Sequence, residues 1–331
     1  MSSYYGRARC PGTCGEWIQG AKEGTPFLID CPVDRYVEVE TRCVRLPQKA
    51  GKRGSWQLPA HKRKTEKALA LLAERFDFKC EGRVNFCSEL PVGKGMASST
   101  ADLSAVMAAA LSSLGISWEP VDLARIALAI EPSDPVMFPG LTEFAHQDGK
   151  YIRKIGANVP AQLLVLDWGG TLDTQSFNAR SELNVHYRKN EGRIQKALTI
   201  FDEGIAHSDL EKLAYAGTIS AQCNQEINPK PYAAELLHLV QQIGGLGMIT
   251  AHSGTLLAGV FPPNLSVLQK KEILENIRFH FNPVNIEWME TRNGGIQSFS
   301  TEGEWEDTKL EQKGGDTNAW GQLTRSSGEI R

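Results

Sequence analysis

Apolar and polar residues alternate strictly in Tyr36-Val-Glu-Val-Glu-Thr41, the period of a strand with one buried face. Phe27-Leu-Ile-Asp-Cys31 and Arg83-Val-Asn-Phe-Cys87 read as further strands of the first half. Leu69, Leu72 and Phe76 share one face of a helix. An Ala/Leu-rich helix opens near Ser98 and runs to about Gly115, and Val121 to Ile130 forms a short apolar helix that stops before Pro132. Gln162-Leu-Leu-Val-Leu-Asp167 is a buried-strand candidate that starts the second half. Helices are expected at Glu191 to Phe201, Leu210 to Cys223 and Tyr232 to Ile243. The glycine cluster 244–247 then leads to a strand pair, Met248-Ile-Thr250 and Thr255 to Phe261. From Ser300 the chain is polar, with Leu310, Leu323 and Ile330 as aliphatic anchors, and reads as a weakly packed appendage. The expectation is an α+β chain with units over 1–155 and 156–300 and a tail over 301–331.

Composition narrows the classes. Lys plus Arg total 36 against 39 Asp plus Glu, a net charge of −3 that gives no general pull toward nucleic acid or an anionic membrane. No apolar run approaches a membrane span, and Met1 to Arg7 lacks the apolar core of a signal peptide, so a cytoplasmic protein is expected. Seven cysteines in no regular framework suit reduced thiols. Cys10 and Cys14 have metal-like proximity but no matching pair follows, and zinc is not expected.

The chemistry concentrates in Pro91-Val-Gly-Lys-Gly-Met-Ala-Ser-Ser-Thr100, a glycine-rich turn between a strand and a helix. Gly93 and Gly95 allow close approach and positive φ. The helix start offers free N–H groups and a positive dipole end, and Ser98 and Ser99 add hydroxyls for phosphate or magnesium. Pro91, Gly93, Lys94, Gly95, Met96, Ala97, Ser98, Ser99 and Thr100 therefore read as a nucleotide phosphate cradle. A Walker A loop is excluded because Gly95 follows Lys94, and a dinucleotide fingerprint because Ser98 stands at the third glycine. The plain alternative is a helix start capped by Ser99-x-x-Asp102. The basic stretch Gln48 to Lys67, which includes Trp56, Lys62 and Lys64, reads as a solvated loop and helix start, or in a functional reading as a flank of the nucleotide site.

This segment resembles the central motif of the GHMP kinases, Pro-x-x-x-Gly-Leu-Gly-Ser-Ser-Ala. Pro11-Gly-Thr-Cys-Gly-Glu16 resembles their first motif with a shorter spacer and Trp17 in place of histidine, and Gly247 to Thr255 stands where their third lies. The resemblance implies two α+β halves, one ribosomal-protein-like and one ferredoxin-like, around a cleft where ATP with Mg²⁺ phosphorylates a small-molecule hydroxyl. It implies Asp134, in Glu131-Pro-Ser-Asp134-Pro, as the group that orients or deprotonates the acceptor. Ser99 and Glu131 would hold the metal, and Glu16, Asp173, His252 and Ser253 would face the substrate. Without the cradle, Glu131 and Asp134 would read as a helix end and a turn. Asp167-x-Gly-Gly-Thr171 looks like the phosphate turn of actin-like ATPases and like the Asp-x-Asp-Gly-Thr nucleophile motif of haloacid-dehalogenase phosphatases, but Gly169 replaces the second aspartate and the context favours a strand ending in a glycine turn.

The full string is most similar to the L-threonine kinases of cobalamin synthesis. Supporting matches are Cys14-Gly-Glu16 with Ile18-Gln-Gly20, Asn228-Pro-Lys-Pro-Tyr232 and Ala251-His-Ser-Gly254. The expected partners are L-threonine and ATP, with Lys230 and Arg35 as further candidates for the charged ends of an amino acid. The alternatives are another GHMP kinase acting on homoserine or an isoprenoid alcohol, a catalytically silent nucleotide-binding regulator, and an RNA-binding module resting on the basic stretch.

Overall fold

Residues 4–47 and 54–299 are described by a computed structural model. Two long strands, β1 (Tyr4–Lys22) and β2 (Thr25–Arg45), pair antiparallel as a hairpin. The two short strand segments expected near 27–31 and 36–41 thus lie within one strand. Period-two patterning buries Val37, Val39 and Thr41, while Glu38 and Glu40 lie on the outer face beside Arg7. There follow β3 (Ser55–Gln57), α1 (Arg63–Arg75), β4 (Cys80–Ser88), α2 (Ser98–Ser113) and α3 (Pro120–Leu128). α1 is the crossover that lets β3 and β4 run parallel. A 3₁₀ turn over Pro135–Met137 leads to β5 (Leu141–Phe144) and β6 (Ile152–Gly156).

The rest of the chain comprises β7 (Gln162–Asp167), α4 (Thr174–Asn178), α5 (Glu182–His207), α6 (Leu210–Asn224), α7 (Ala233–Gln242), β8 (Gly247–Thr250), β9 (Leu257–Phe261), α8 (Val267–His280), β10 (Asn285–Glu290) and β11 (Gln297–Phe299). Its strands lie in the order β10-β7-β9-β8, all antiparallel, the fourth-first-third-second arrangement of a ferredoxin-like sheet. β8 adjoins β1 through Glu16 and Thr250, so both halves belong to one sheet of eleven strands. β11 returns to the first half and pairs with Arg7 to Arg9.

α2 is central because alanine and leucine all round it let twelve of its residues be buried. The main core lies between it, the inner sheet face, α5 and α6, and a second cluster packs α7 and α8 on β7 and β9. α5 starts at Glu182, earlier than expected, and α8 was not legible because only Ile273 and Ile277 are buried along it. The expected tail over 301–331 lies outside the described residues. Among those described, no helix is long and apolar enough to cross a membrane.

Candidate active site

The glycine-rich turn is held by its own carbonyl groups. Those of Gly93, Lys94, Gly95 and Met96 accept from the amides of Leu172, Thr255, Gly15 and Thr13, at 2.9 to 3.2 Å. Three segments distant in sequence thereby grip one side of the turn. The amides of residues 95–100 donate to no protein acceptor among the described residues. Ala97 takes φ +54° as the residue before α2, so the chain enters the helix from a left-handed bend. Such a bend aims successive N–H groups at one point, where an anion fits.

Close packing explains the glycines. A Cβ on Gly95, at φ +87°, would lie 2.4 Å from Cβ of Ala251, and one on Gly254 would lie 2.1 Å from the Lys94 carbonyl oxygen. The loop after β8 therefore packs directly under the cradle. The Met96 side chain is buried in the core, so only its backbone belongs to the cradle surface. Lys94 turns away from the cradle to pair with Asp167 at 2.6 Å and the Gly170 carbonyl at 2.7 Å. This ties the glycine turn after β7 to the cradle and gives Asp167-x-Gly-Gly a structural role.

The first turn of α2 meets the segment after α3. Ser99 does not cap the helix: its hydroxyl bonds Oε1 of Glu131, and Asp102 pairs with Lys62. Lys64, at the start of α1, places its ammonium 2.5 Å from Oε2 of Glu131. A serine hydroxyl and a nearly buried carboxylate are hard oxygen donors suited to magnesium, and the lysine shows that this carboxylate draws a cation. One residue further on, Thr100 donates to Oδ2 of Asp134 at 3.0 Å, and the Asp134 amide lies 3.2 Å from the same hydroxyl. Burial first, and then the nearby Glu16, raise the Asp134 carboxyl to about 7. A carboxylate so tuned can take a proton from a hydroxyl near neutral pH.

Glu16 reaches the same place from a stretch of β1 with three irregularities in register, between Pro11 and Ile18. Such bulges re-aim side chains. Oε2 of Glu16 accepts from the His252 amide at 2.8 Å and faces His252 Nδ1 at 2.9 Å. Nδ1 also faces the Thr250 carbonyl, so it carries the proton, and Nε2 accepts from Ser220, whose oxygen accepts from the Gln19 amide. His252 thus stands behind Glu16, holding it in place. Asn224 and Asn228 donate to the His252 carbonyl, and Asn228 also to that of Gly254, so the Asn-Pro-Lys-Pro segment fastens this loop. Trp17 is wholly buried against Phe201.

The remaining candidates separate. Ser253 is half-buried on the same loop. Asp173 is exposed and accepts from the amide and hydroxyl of Ser176 at the start of α4, which lowers its carboxyl below the usual range. Arg35 is engaged by Asp34 and Glu287. Lys230 is buried, donates to Asn224 at 2.6 Å, and is lowered by burial to about 7. The sequence reading passed over Asp30, which β2 places directly opposite Glu16. One carboxylate oxygen each from Glu16, Asp30 and Asp134 lie within 4.8 Å of one another. It also missed the Lys64 contact, whose only signal was the basic run before α1.

Comparison with known proteins bears on the family and the fold. The model of the GHMP kinases N terminal domain matches residues 63–138, from α1 through the cradle to the turn after Asp134. A curated L-threonine kinase of Salmonella typhimurium is 34% identical over 250 residues, covering 76% of this chain and 81% of that protein. One from Citrobacter freundii is 32% identical over 261 residues, covering 76% and 84%. Among solved structures, the mevalonate diphosphate decarboxylase from Enterococcus faecalis, described for its ATP binding mechanism, superposes with a TM-score of 0.63 at 18% identity, covering 91% of this chain and all of that one. That likeness concerns the fold alone, whereas the identity to the two curated kinases extends over most of both chains. The chain belongs to the GHMP kinase family of ATP-dependent kinases.

Proposed function

We propose that this protein phosphorylates the side-chain hydroxyl of L-threonine, making O-phospho-L-threonine in the cytoplasm for the aminopropanol linker of cobalamin. The observation that carries the reading is the pairing of Ser99 with Glu131 beside that of Thr100 with Asp134. These pairs join two neighbouring hydroxyls in the first turn of α2 to two carboxylates of the segment after α3, which supports reading one pair as the metal couple and Asp134 as the base. The choice of threonine rests on the two curated relatives. In this reading residues 1–155 supply the nucleotide side, and 156–300 brace it through Gly254 and the 167–173 turn.

MgATP, when bound, supplies the phosphoryl group and the charge that neutralises it. The backbone amides from Gly93 to Ser99 would hold the phosphates, and Ser99 with Glu131 would hold the metal. Lys64, now paired with Glu131, would be within this same group of residues. Asp134 orients the threonine hydroxyl and accepts its proton while that oxygen bonds phosphorus, the bond to the bridging oxygen breaks and ADP leaves. Glu16, held by His252, faces the substrate, and Ser253 stands beside it. Asp173 acts by shaping the 167–173 turn.

The test offers purified protein MgATP with L-threonine, L-serine, L-homoserine or mevalonate separately, and identifies products by phosphorus NMR. O-phosphothreonine with little else supports the reading. Turnover with homoserine or mevalonate alone would overturn the substrate, and ATP binding without turnover would favour a regulator.

A further inference from the structure

Glu16 on β1 and Asp30 on β2 are direct cross-strand partners, and both are nearly fully buried. Two ionised carboxylates directly opposite in a sheet would repel, and burial would strengthen the repulsion. Neither oxygen of Asp30 has a hydrogen-bond partner among the described residues, although the residue is only 3% exposed. Oε2 of Glu16 is taken by His252, and Oδ2 of Asp134 by Thr100. A buried carboxylate with both oxygens unpartnered among the described residues, one of them within 4.8 Å of oxygens of two other carboxylates, suits a cationic hydrogen-bond donor from a bound ligand. Lys64 does not fill this place, since its ammonium is committed to Glu131.

We infer that Asp30, with Glu16, forms the subsite for the substrate's α-ammonium group, and that this subsite selects 1,2-amino alcohols. An ammonium has three N–H donors, suited to oxygens converging from several sides. In a β-hydroxy amino acid the nitrogen and hydroxyl oxygen sit on adjacent carbons, and a staggered gauche torsion holds them about 3 Å apart. With the nitrogen between Asp30 and Glu16, that spacing delivers the hydroxyl to Asp134, because all three carboxylates lie within one small span. Homoserine, with a further methylene, carries its hydroxyl past that point. Burial raises the Asp30 carboxyl well above its ordinary value, so a bound ammonium is also what allows it to ionise.

This inference rests on the amino-acid kinase reading and has its own test in Asp30→Asn, which keeps the shape and removes the charge. Wild type and variant are compared with L-threonine and with 3-hydroxybutyrate, which keeps the hydroxyl, methyl and carboxylate and lacks the amine. The variant is expected to raise KM for L-threonine at least about thirtyfold, with kcat and KM for ATP within a few-fold of wild type. Wild type should prefer threonine over 3-hydroxybutyrate by about 10³ or more, and the variant should lose most of that preference. An unchanged KM, or a fall in kcat with the preference intact, would make Asp30 a structural residue. Loss of Mn²⁺ binding to the nucleotide-free protein in the variant, with the preference intact, would overturn the subsite in favour of a metal position. If the variant does not fold, calorimetry on wild type decides, and equal affinity for the two compounds would sink the inference. A wild type inactive on every amino acid would overturn the kinase reading and this inference with it, whereas an active wild type with an unaffected variant overturns the inference alone.

Discussion

In the proposed reaction Asp134 concentrates the chemistry at the scale of single residues. Its carboxyl is raised to about 7 by burial and by Glu16, and a base must be ionised to work. Activity is therefore expected to fall as pH drops through about 7, visible as an acid limb in kcat/KM for the free enzyme. Asp134→Asn should lower turnover by about 10²–10⁴ while ATP binding holds; a change under tenfold would leave Asp134 a positioning group. Glu131 predicts a different signature. Because its carboxylate bonds Ser99 and Lys64, Glu131→Gln should raise the magnesium concentration for half-maximal rate by about tenfold or more. A magnesium titration with the same midpoint as wild type would remove Glu131 from the metal site. Asp134, Glu131 and Ser99 could be put forward from the chain because each stands in a local motif. Asp30 was not, since an aspartate inside Phe27-Leu-Ile-Asp-Cys31 looks like any strand residue until β1 lies against it.

At the scale of elements, the cradle depends on what lies beneath it. The amides of Leu172, Thr255, Gly15 and Thr13 hold four consecutive carbonyls of the turn, and Gly95 meets the loop after β8 without room for a side chain. Gly95→Ala imposes a left-handed conformation on alanine and a 2.4 Å contact with Ala251, so we expect a stability loss of about 1–3 kcal/mol. The shifted cradle should also lower turnover about a hundredfold. Urea unfolding and steady-state kinetics check the two effects separately, and an alanine variant with wild-type rates would mean that the turn does not touch the nucleotide. The helices around this core were mostly readable from periodicity, as in α1, α3, α6 and α7. β1 was not, because proline, glycine and the register shifts between Pro11 and Ile18 break the alternation that marks a strand.

At the scale of the molecule, β1 and β8 join two halves into one sheet, and the main core draws side chains from both. Unfolding should therefore be a single cooperative transition, with circular dichroism and tryptophan fluorescence coincident; two separated transitions would show that the halves are energetically independent. The buried carboxylates also set a pH dependence. Asp30 and Asp134 are raised, so from about pH 4 upward the folded chain keeps protons that the unfolded chain releases. Their contribution is present in full below the unfolded value and is lost as pH rises, for Asp134 through about 7. Asp30→Asn should flatten the decline of Tm between about pH 5 and 7 in the ligand-free protein. An unchanged slope would mean that Asp30 does not keep its proton there.

What the sequence determined by itself was the local chemistry: paired glycines before a helix, hydroxyls in its first turn, and a Glu-Pro-Ser-Asp segment, together with a family pattern spread along the chain. These are legible because a phosphate cradle, a helix start and a proline-flanked turn each form from neighbouring residues. Only the tertiary structure decided which side chains lie together. It set Glu16 against Asp30 and Asp134, stood His252 behind Glu16, brought Lys64 onto Glu131, and moved Asp173 to the surface as a cap. Those relations join positions up to 236 residues apart. They follow from strand register and from the packing of one loop on another, and no local pattern of residue types encodes either.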